Sequence, residues 1–195
     1  MADETPDNPE GDGAQGLLRI AAKLFESRTI LIHGEITSKV AQMVTAQLLA
    51  LSSENDDPIT VYLHSEGGHV EAGDSIHDML KFVKPRIRII GTGWVASAGT
   101  HIYLAADKED RLCLPNTRFM IHQPLGGVGG SASDIRIEAE EILKARARLN
   151  RTIAEATGQS LEQVEEDTDR NYWMSPEEAR DYGIVGRIVA SADEI

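Results

Sequence analysis

Ser97 stands in the stretch GTGWVASAGTHIYLAA (91–106), flanked by Ala96, Ala98 and Gly99, where a β-rich run gives way to a helical one. A serine hydroxyl attacks a carbonyl only when a base takes its proton, and the oxyanion that forms needs preorganised donors. The base must come from six histidines. His33, His64 and His122 end apolar runs of strand character, whereas His69, His77 and His101 fall on helical stretches. His122 is the best placed, because it follows TRFMI and precedes Pro124 by two residues. Proline cannot continue a regular ladder, so the imidazole is free to project from a strand end into a cleft. Position alone also fits a serine that caps a helix and a histidine with a structural hydrogen bond. A second strand-to-helix junction, LHSEGGHVEAG (63–73), offers Gly67 and Gly68 for a close backbone approach. Neither junction has the Gly-x-x-x-x-Gly-Lys-Ser/Thr pattern of a phosphate loop.

These residues need a frame to hold them. TILIHG (29–34), ITVYLH (59–64) and RIRIIGT (86–92) have the β-branched enrichment of strands, and the segments between them have helical spacing. In 38–54 the residues Val40, Met43, Val44, Leu48 and Leu51 share one face, and in 70–83 Ile76, Met79, Leu80 and Val83 do. The alternation predicts an α/β fold of crossover units with largely parallel strands and both helices packed on the sheet. RLCL and TRFMIHQ predict two further strands, and IVGRIV predicts a short one returning to the body. SASDIRIEAEEILKARARLNRTIAEATG predicts a long charged helix closed by Gly158. SPEEARDYG predicts a short helix with Ser175 as cap, Pro176 in the first turn, Glu178 closing a capping box and Gly183 as the stop.

With 195 residues, 41% of them hydrophobic, the chain can bury one substantial core, and no polar linker interrupts it from Leu17 onward. One domain over 17–195 is the expectation. Residues 1–16 combine Asp, Glu, Pro and Gly with few apolar side chains, which predicts a disordered acidic tail. The absence of a signal-peptide pattern and of any apolar run near the roughly 20 residues of a membrane helix predicts a cytoplasmic chain with no membrane contact. A net charge of −13 argues against nucleic-acid binding. Cys113 is the lone cysteine, so it forms no disulfide or cysteine-based metal cluster within the chain and is expected as a small buried hydrophobe. No metal or organic cofactor is called for.

From about Leu17 to Ala190 the sequence resembles the proteolytic subunit of the Clp protease, a family of serine peptidases. The stretches that carry the resemblance are LLALSSENDDPITVYLHSEGGHVEAGDSIHDMLKFVKP, GWVASAG and LPNTRFMIHQPLGG, in that order. It implies the crotonase-like superfold of repeated strand-helix units with a protruding strand-helix handle. By position in these motifs it makes Ser97 the nucleophile, His122 the general base, and the N–H groups of Gly68 and Ala98 the oxyanion hole. Gly67, Leu125, Gly126 and Gly127 would line the bound peptide. Residues from about 124 to 157, GGVGGSASD and the long helix included, resemble the handle that joins two rings. There a glycine-rich strand would carry two unpaired edges, and a peptide could add to one of them.

The chain departs from the family at the third triad position. The aspartate of the family falls in the stretch matching EEDTDRNYW, where this chain has Asn171, and Asp167 and Asp169 occupy other positions of the motif. An asparagine oxygen can accept the Nδ1–H of His122 and orient the ring, but it brings no charge for the imidazolium. Glu66 stands where the family usually has proline, and the acidic N-terminus lacks the apolar character of the family's axial loops. The implied function is a serine endopeptidase subunit of seven-membered rings stacked face to face, with polypeptides delivered by a separate AAA+ ATPase. A second reading, which Asn171 and the tail favour, is a weakly active or inactive regulatory ring subunit that assembles with a catalytic sister. A crotonase-type acyl-CoA enzyme shares the superfold but has no use for a Ser97–His122 pair, and it ranks last.

Overall fold

The computed structural model describes residues 9–127 and 129–195. The first half of the chain runs α1 (Pro9–Glu26), β1 (Thr29–His33), α2 (Ser38–Glu54), β2 (Ile59–Ser65), α3 (Val70–Phe82), β3 (Ile87–Ala96) and α4 (Ala98–Tyr103). The second half runs β4 (Arg111–Cys113), β5 (Arg118–Ile121), α5 (Ala132–Thr157), α6 (Leu161–Asp167), β6 (Tyr172–Met174), α7 (Pro176–Tyr182) and β7 (Arg187–Ile188). The sheet has the order β1-β2-β3-β4-β7 with every neighbouring pair parallel. β5 branches from it, parallel to the last three residues of β3, and β6 lies antiparallel against β5. The expected parallel sheet therefore carries one antiparallel pair.

Alternation along the strands divides core from outer face. In β2 the side chains of Ile59, Val61 and Leu63 are fully buried while Thr60, Tyr62 and His64 are half-buried. Burying each aliphatic side chain of this kind contributes about 1.5–3 kcal/mol. Helix α2 covers the sheet with Ala41, Val44, Leu48 and Leu51. Met43, expected on that face, is half exposed, because one residue away from Val44 is a turn of about 100° round the helix. Helix α3 buries Ala72, Ile76, His77 and Leu80, and packs against both α2 and α4.

β3 is the strand that aims the site. Its register with β2 passes from Leu63↔Gly91 to Ser65↔Val95, so His64 alone faces Thr92, Gly93 and Trp94. The imidazole of His64 fills the bulge, its Nδ1 accepting the Trp94 N–H at 3.0 Å. A side chain at Gly93, where φ is +53°, would put Cβ 2.5 Å from that nitrogen. Bulges bend a strand and increase its twist. Beyond this one β3 leaves β4 and pairs with β5 through Trp94↔Arg118, Val95↔Phe119 and Ala96↔Met120.

The first eight residues of the expected N-terminal tail lie outside the described residues, and from Pro9 the chain is already helical as part of α1. Once the apolar turns of Leu17–Phe25 have formed, extension upstream needs no second nucleation. Helix α5 begins at a full capping box of Ser131 and Asp134 and ends at Gly158 with φ +82°. Only its C-terminal half is anchored, through buried Asn150 and Ile153, whereas Ile135, Ile137 and Leu143 are exposed. The glycine-rich strand expected before it does not form among the described residues of 122–130. Ladder pairing requires a second edge, and among the described residues no strand pairs with this segment. Helix α7 has the predicted Ser175–Glu178 box, Pro176 and left-handed Gly183.

Candidate active site

The turn from β3 to α4 holds Ser97 at φ 57°, ψ −121°, one of two non-glycine residues with positive φ among the described residues. Such a conformation costs about 1–3 kcal/mol and persists only where neighbours over-determine it. Here the Ser97 N–H donates to Met120 O at 2.9 Å, and Ser97 O accepts the first α4 bond from the His101 N–H at 3.1 Å. The hydroxyl of Thr100 lies 2.7 Å from Val95 O and 2.9 Å from Met120 O, tying the helix start to both strand ends. Ser97 is formally the N-cap of α4, yet its side chain makes no capping bond. The sharp turn points the hydroxyl elsewhere.

That direction is toward His122, whose Nε2 lies 2.7 Å from Ser97 Oγ. On its other side, Nδ1 lies 2.9 Å from Asn171 Oδ1. An amide oxygen only accepts, so Nδ1 carries the hydrogen and Nε2 presents its lone pair to the Ser97 O–H. The backbone sets this alignment. β5 and β6 pair in the register Phe119↔Met174, Met120↔Trp173 and Ile121↔Tyr172, and the next step of that ladder brings His122 opposite Asn171. Beyond it, Gln123 locks the two segments: its N–H donates to Thr168 O at 2.6 Å, and its side-chain amide donates to Asp169 O at 2.7 Å. Trp94 of β3 packs edge-on against Trp173 of β6, on either side of β5, with the Arg118 guanidinium over the Trp173 ring.

Asp167 and Asp169 are engaged elsewhere. Asp167 accepts the Tyr182 hydroxyl at 2.8 Å, and Asp169 accepts the Gln123 amide and faces Arg146 at 3.7 Å. Glu66 is exposed at the turn before the paired glycines.

Gly67 and Gly68 bring a second backbone edge to the serine. A Cβ on Gly67 would lie 2.6 Å from Ser97 Cβ, and one on Gly68 would lie 2.2 Å from Ile36 O. Ile36 donates to Gly67 O and accepts from the His69 N–H, the bridge pattern that turns the N–H and C=O of Gly68 itself to the opposite edge. Ala98 is the first residue of α4, where an N–H has no intrahelical partner. Gly67 thus packs on Ser97, and Gly68 and Ala98 are the chain neighbours of that contact.

A small cleft of about 30 Å³ opens beside Ser97 and His122, walled by Val70, Pro124, Leu149 and Ile153. A wider hollow next to it is lined by Gly68, Leu125, Gly126 and Gly127, which brings the expected peptide-lining residues alongside the glycine turn. Leu125 is 81% exposed there, and Gly126 packs so closely on α5 that a Cβ would meet Ile142 at 2.6 Å. Among the described residues no group of His, Cys, Asp or Glu is arranged to hold a metal ion, and no helix is long and apolar enough to cross a membrane.

Sequence reasoning missed the Gln123 lock and a polar cluster behind the cleft that runs from buried His77 and His101 to the exposed Arg148. In that cluster His101 Nε2 donates to Asp74 Oδ1 at 2.9 Å, and Arg148 of α5 pairs with the other carboxylate oxygen. Burial alone would raise the Asp74 carboxyl, but the His101 and Arg148 bonds outweigh it and hold it below its ordinary value. The His77 ring stacks on His101 with centroids 4.3 Å apart, and burial pushes its pKa down. Positions 74, 101 and 148 are too far apart to carry a periodic signal, and only the packing of α3, α4 and α5 joins them.

Residues 12–192 match the family described as Clp protease. The chain is 60% identical over 174 residues to ATP-dependent Clp protease proteolytic subunit 3 of Rhizobium etli, covering 89% of this chain and 90% of that protein. It is 47% identical over 193 residues to ATP-dependent Clp protease proteolytic subunit 2 of Pseudomonas aeruginosa, covering 97% and 96%. Among solved structures, ClpP1 from Listeria monocytogenes superposes with a TM-score of 0.82 at 57% identity, covering 90% of this chain and 98% of that one.

Proposed function

The chain belongs to the Clp protease family, and on that premise we propose that it is a serine endopeptidase subunit in which Ser97 attacks the scissile carbonyl. His122 takes the Ser97 proton through Nε2 and returns it to the leaving amine. Asn171 fixes the ring orientation and tautomer. The Gly68 and Ala98 N–H groups stabilise the tetrahedral oxyanion. The peptide backbone lies between Gly67 and the segment Leu125–Gly127, whose unpaired groups would take it up as an added strand. The observation that carries this reading is the relay Asn171–His122–Ser97 at 2.9 and 2.7 Å, with the serine hydroxyl uncapped on a strained turn. No step requires a metal or organic cofactor.

Membership of the family implies assembly into oligomeric rings. The proposed form is a seven-membered ring stacked on a second one, with the sites facing an inner chamber and an AAA+ unfoldase delivering polypeptides in the cytoplasm. Support comes from apolar side chains that a lone subunit leaves in water: Leu17, Leu18 and Ile20 on α1, and Ile135, Ile137 and Leu143 on α5. A stable monomer in analytical ultracentrifugation would refute the ring.

A second reading rests on Asn171, which supplies no negative charge to the imidazolium: a weakly active regulatory subunit that assembles with a catalytic sister. The deciding experiment is fluorophosphonate labelling and peptide hydrolysis by the purified protein, alone and mixed with a second Clp-like subunit, against Ser97→Ala. Labelling and turnover by the protein alone, lost in Ser97→Ala, establish the peptidase. Turnover only in the mixture, unchanged by Ser97→Ala, establishes the regulatory subunit.

A further inference from the structure

Helix α4 begins at the residue after Ser97, so whatever fixes α4 also fixes the nucleophile. On its strand side the helix is tied by the Thr100 hydroxyl to Val95 O and Met120 O. Its other side meets α3. There Gly73 approaches so closely that a Cβ on it would lie 3.1 Å from Ala98 Cβ, and Asp74 is the next residue along α3. One turn into α4, buried His101 is held at three points. Its N–H donates to Ser97 O at 3.1 Å, its carbonyl accepts the His77 Nδ1–H at 2.9 Å, and its Nε2–H donates to Asp74 Oδ1 at 2.9 Å. The other carboxylate oxygen of Asp74 pairs with Arg148 of α5.

The bond to Asp74 is the only one the ring makes. His101 Nδ1 is buried without a hydrogen-bond partner, so removing the Asp74 acceptor would leave both nitrogens of a buried imidazole unpaired. A buried donor left unsatisfied costs the full desolvation of that group, and a movement of the ring toward water relieves it. The ring stacks on His77, and its backbone closes the first turn on Ser97 O, so such a movement carries α4 and the Ser97 turn with it. This holds whether the ring is neutral or protonated, because Nε2 presents its hydrogen to the carboxylate in both states.

We propose that Asp74 is a positioning residue for the nucleophile: by holding His101 it fixes α4, and through α4 it places the Ser97 hydroxyl and the Ala98 N–H against the attacked carbonyl. This rests on the peptidase reading above and deepens it. Asp74 lines neither the cleft nor the hollow beside it. Its removal therefore acts on the rate at which Ser97 attacks and leaves the walls that hold the peptide in place.

The test compares the intact protein with Asp74→Asn, Asp74→Leu, His101→Phe and the double variant that combines the last two. Asparagine keeps the shape and an oxygen for the His101 Nε2–H, leucine keeps the size and removes that oxygen, and the double variant removes the stranded donor as well. Fluorophosphonate labelling of Ser97 gives two readouts. Its extent counts folded sites, and its rate constant reports how the serine is placed, which a loss of stability alone would not move. In Asp74→Leu the rate constant and the kcat per labelled site should fall at least about tenfold, with KM within about twofold. Asp74→Asn should stay within about threefold of the wild type on both, since the acceptor survives. In the His101→Phe background Asp74→Leu should change them less than about twofold, because no imidazole is left to strand. Should Asp74→Leu fail to fold, the double variant decides: a rate constant equal to that of His101→Phe supports the role, and one more than about twofold lower overturns it. An unchanged rate constant in Asp74→Leu, or a loss in Asp74→Asn as large as in Asp74→Leu, would overturn the role of Asp74 and leave the peptidase standing. Absence of both turnover and labelling in the wild type would overturn the peptidase reading, and this inference with it.

Discussion

Replacing Asn171 with aspartate changes charge at constant shape, so its effect can be worked from the relay. The side-chain oxygen lies 2.9 Å from His122 Nδ1. When Ser97 gives up its proton the imidazole becomes a cation, and an aspartate would face it where an amide does now. At that separation two unit charges attract by about 1.4 kcal/mol with the dielectric of bulk water and by about 6 kcal/mol with the value of about 20 suited to a protein surface. Asn171 is exposed and His122 only half-buried, so the lower figure applies. About 1.4 kcal/mol is a tenfold increase in rate. The exchange of a neutral for a charge-assisted hydrogen bond, which roughly doubles its strength, gives the same order.

The gain is expected in kcat with KM little changed, because the new attraction acts once the imidazolium has formed. Its signature is a shift of the acidic limb of the pH–rate profile to higher pH, since the carboxylate favours the protonated ring in the resting enzyme as well. The assay is steady-state peptide hydrolysis by both proteins from mildly acidic to mildly alkaline pH, with sedimentation run on each. An unchanged or lower kcat in intact oligomers would refute the role given to Asn171 and move the regulatory reading to first place.

Ser97→Ala and His122→Ala should each lower kcat at least about 10³-fold and leave assembly intact, because nucleophile and base act as a unit; sedimentation and hydrolysis together check this. Cys113 is fully buried, and burial pushes its thiol up to about 12, so it should not react with a disulfide reagent until the chain unfolds; labelling in native buffer would contradict it. Asp74 has a depressed folded value, so its bonds to His101 and Arg148 stabilise the fold above the ordinary carboxylate range and stop doing so as pH falls through that value. The denaturant-midpoint gap between wild type and Asp74→Asn should therefore be widest near neutrality and shrink in acid, and a gap independent of pH would count against the cluster.

Much of the frame was legible because its signals are local. Alternating β-branched residues mark β1 and β2, and the Ser175–Glu178 box and Gly183 mark both ends of α7. Motif position was enough to single out Ser97, His122 and Asn171. What escaped depends on pairing across long separations. Tyr172–Met174 is too short for its own alternation to declare a strand, and its antiparallel register with β5 exists only in the folded sheet. The same holds for Gln123, whose partners lie 45 and 46 residues along the chain. Composition reads residues 9–16 as tail, whereas the chain there is helical as part of α1 despite glycines at 11, 13 and 16, an extension that needs no second nucleation. The glycine-rich segment, expected as a strand with two unpaired edges, has no ladder partner among the described residues of 122–130.

The three relay residues stand on adjacent strand ends, and this explains how an asparagine can occupy the third place without disturbing the other two. Ser97 follows β3, His122 follows β5, and Asn171 precedes β6. Neighbouring strands lie about 4.8 Å apart, a span that one imidazole bridges in each direction. The Ser97 N–H bond to Met120 O fixes β3 against β5, and the Gln123 lock fixes β5 against the segment leading into β6. Geometry therefore comes from backbone pairing, while the third side chain contributes only its acceptor atom and its charge. A residue that changes the charge but keeps the acceptor leaves the alignment intact and alters only the stability of the imidazolium. On the proposed mechanism, rate is thus tuned at position 171 independently of structure, whereas at Ser97, Gly67 or Gly68 the backbone conformation and the chemistry cannot be separated.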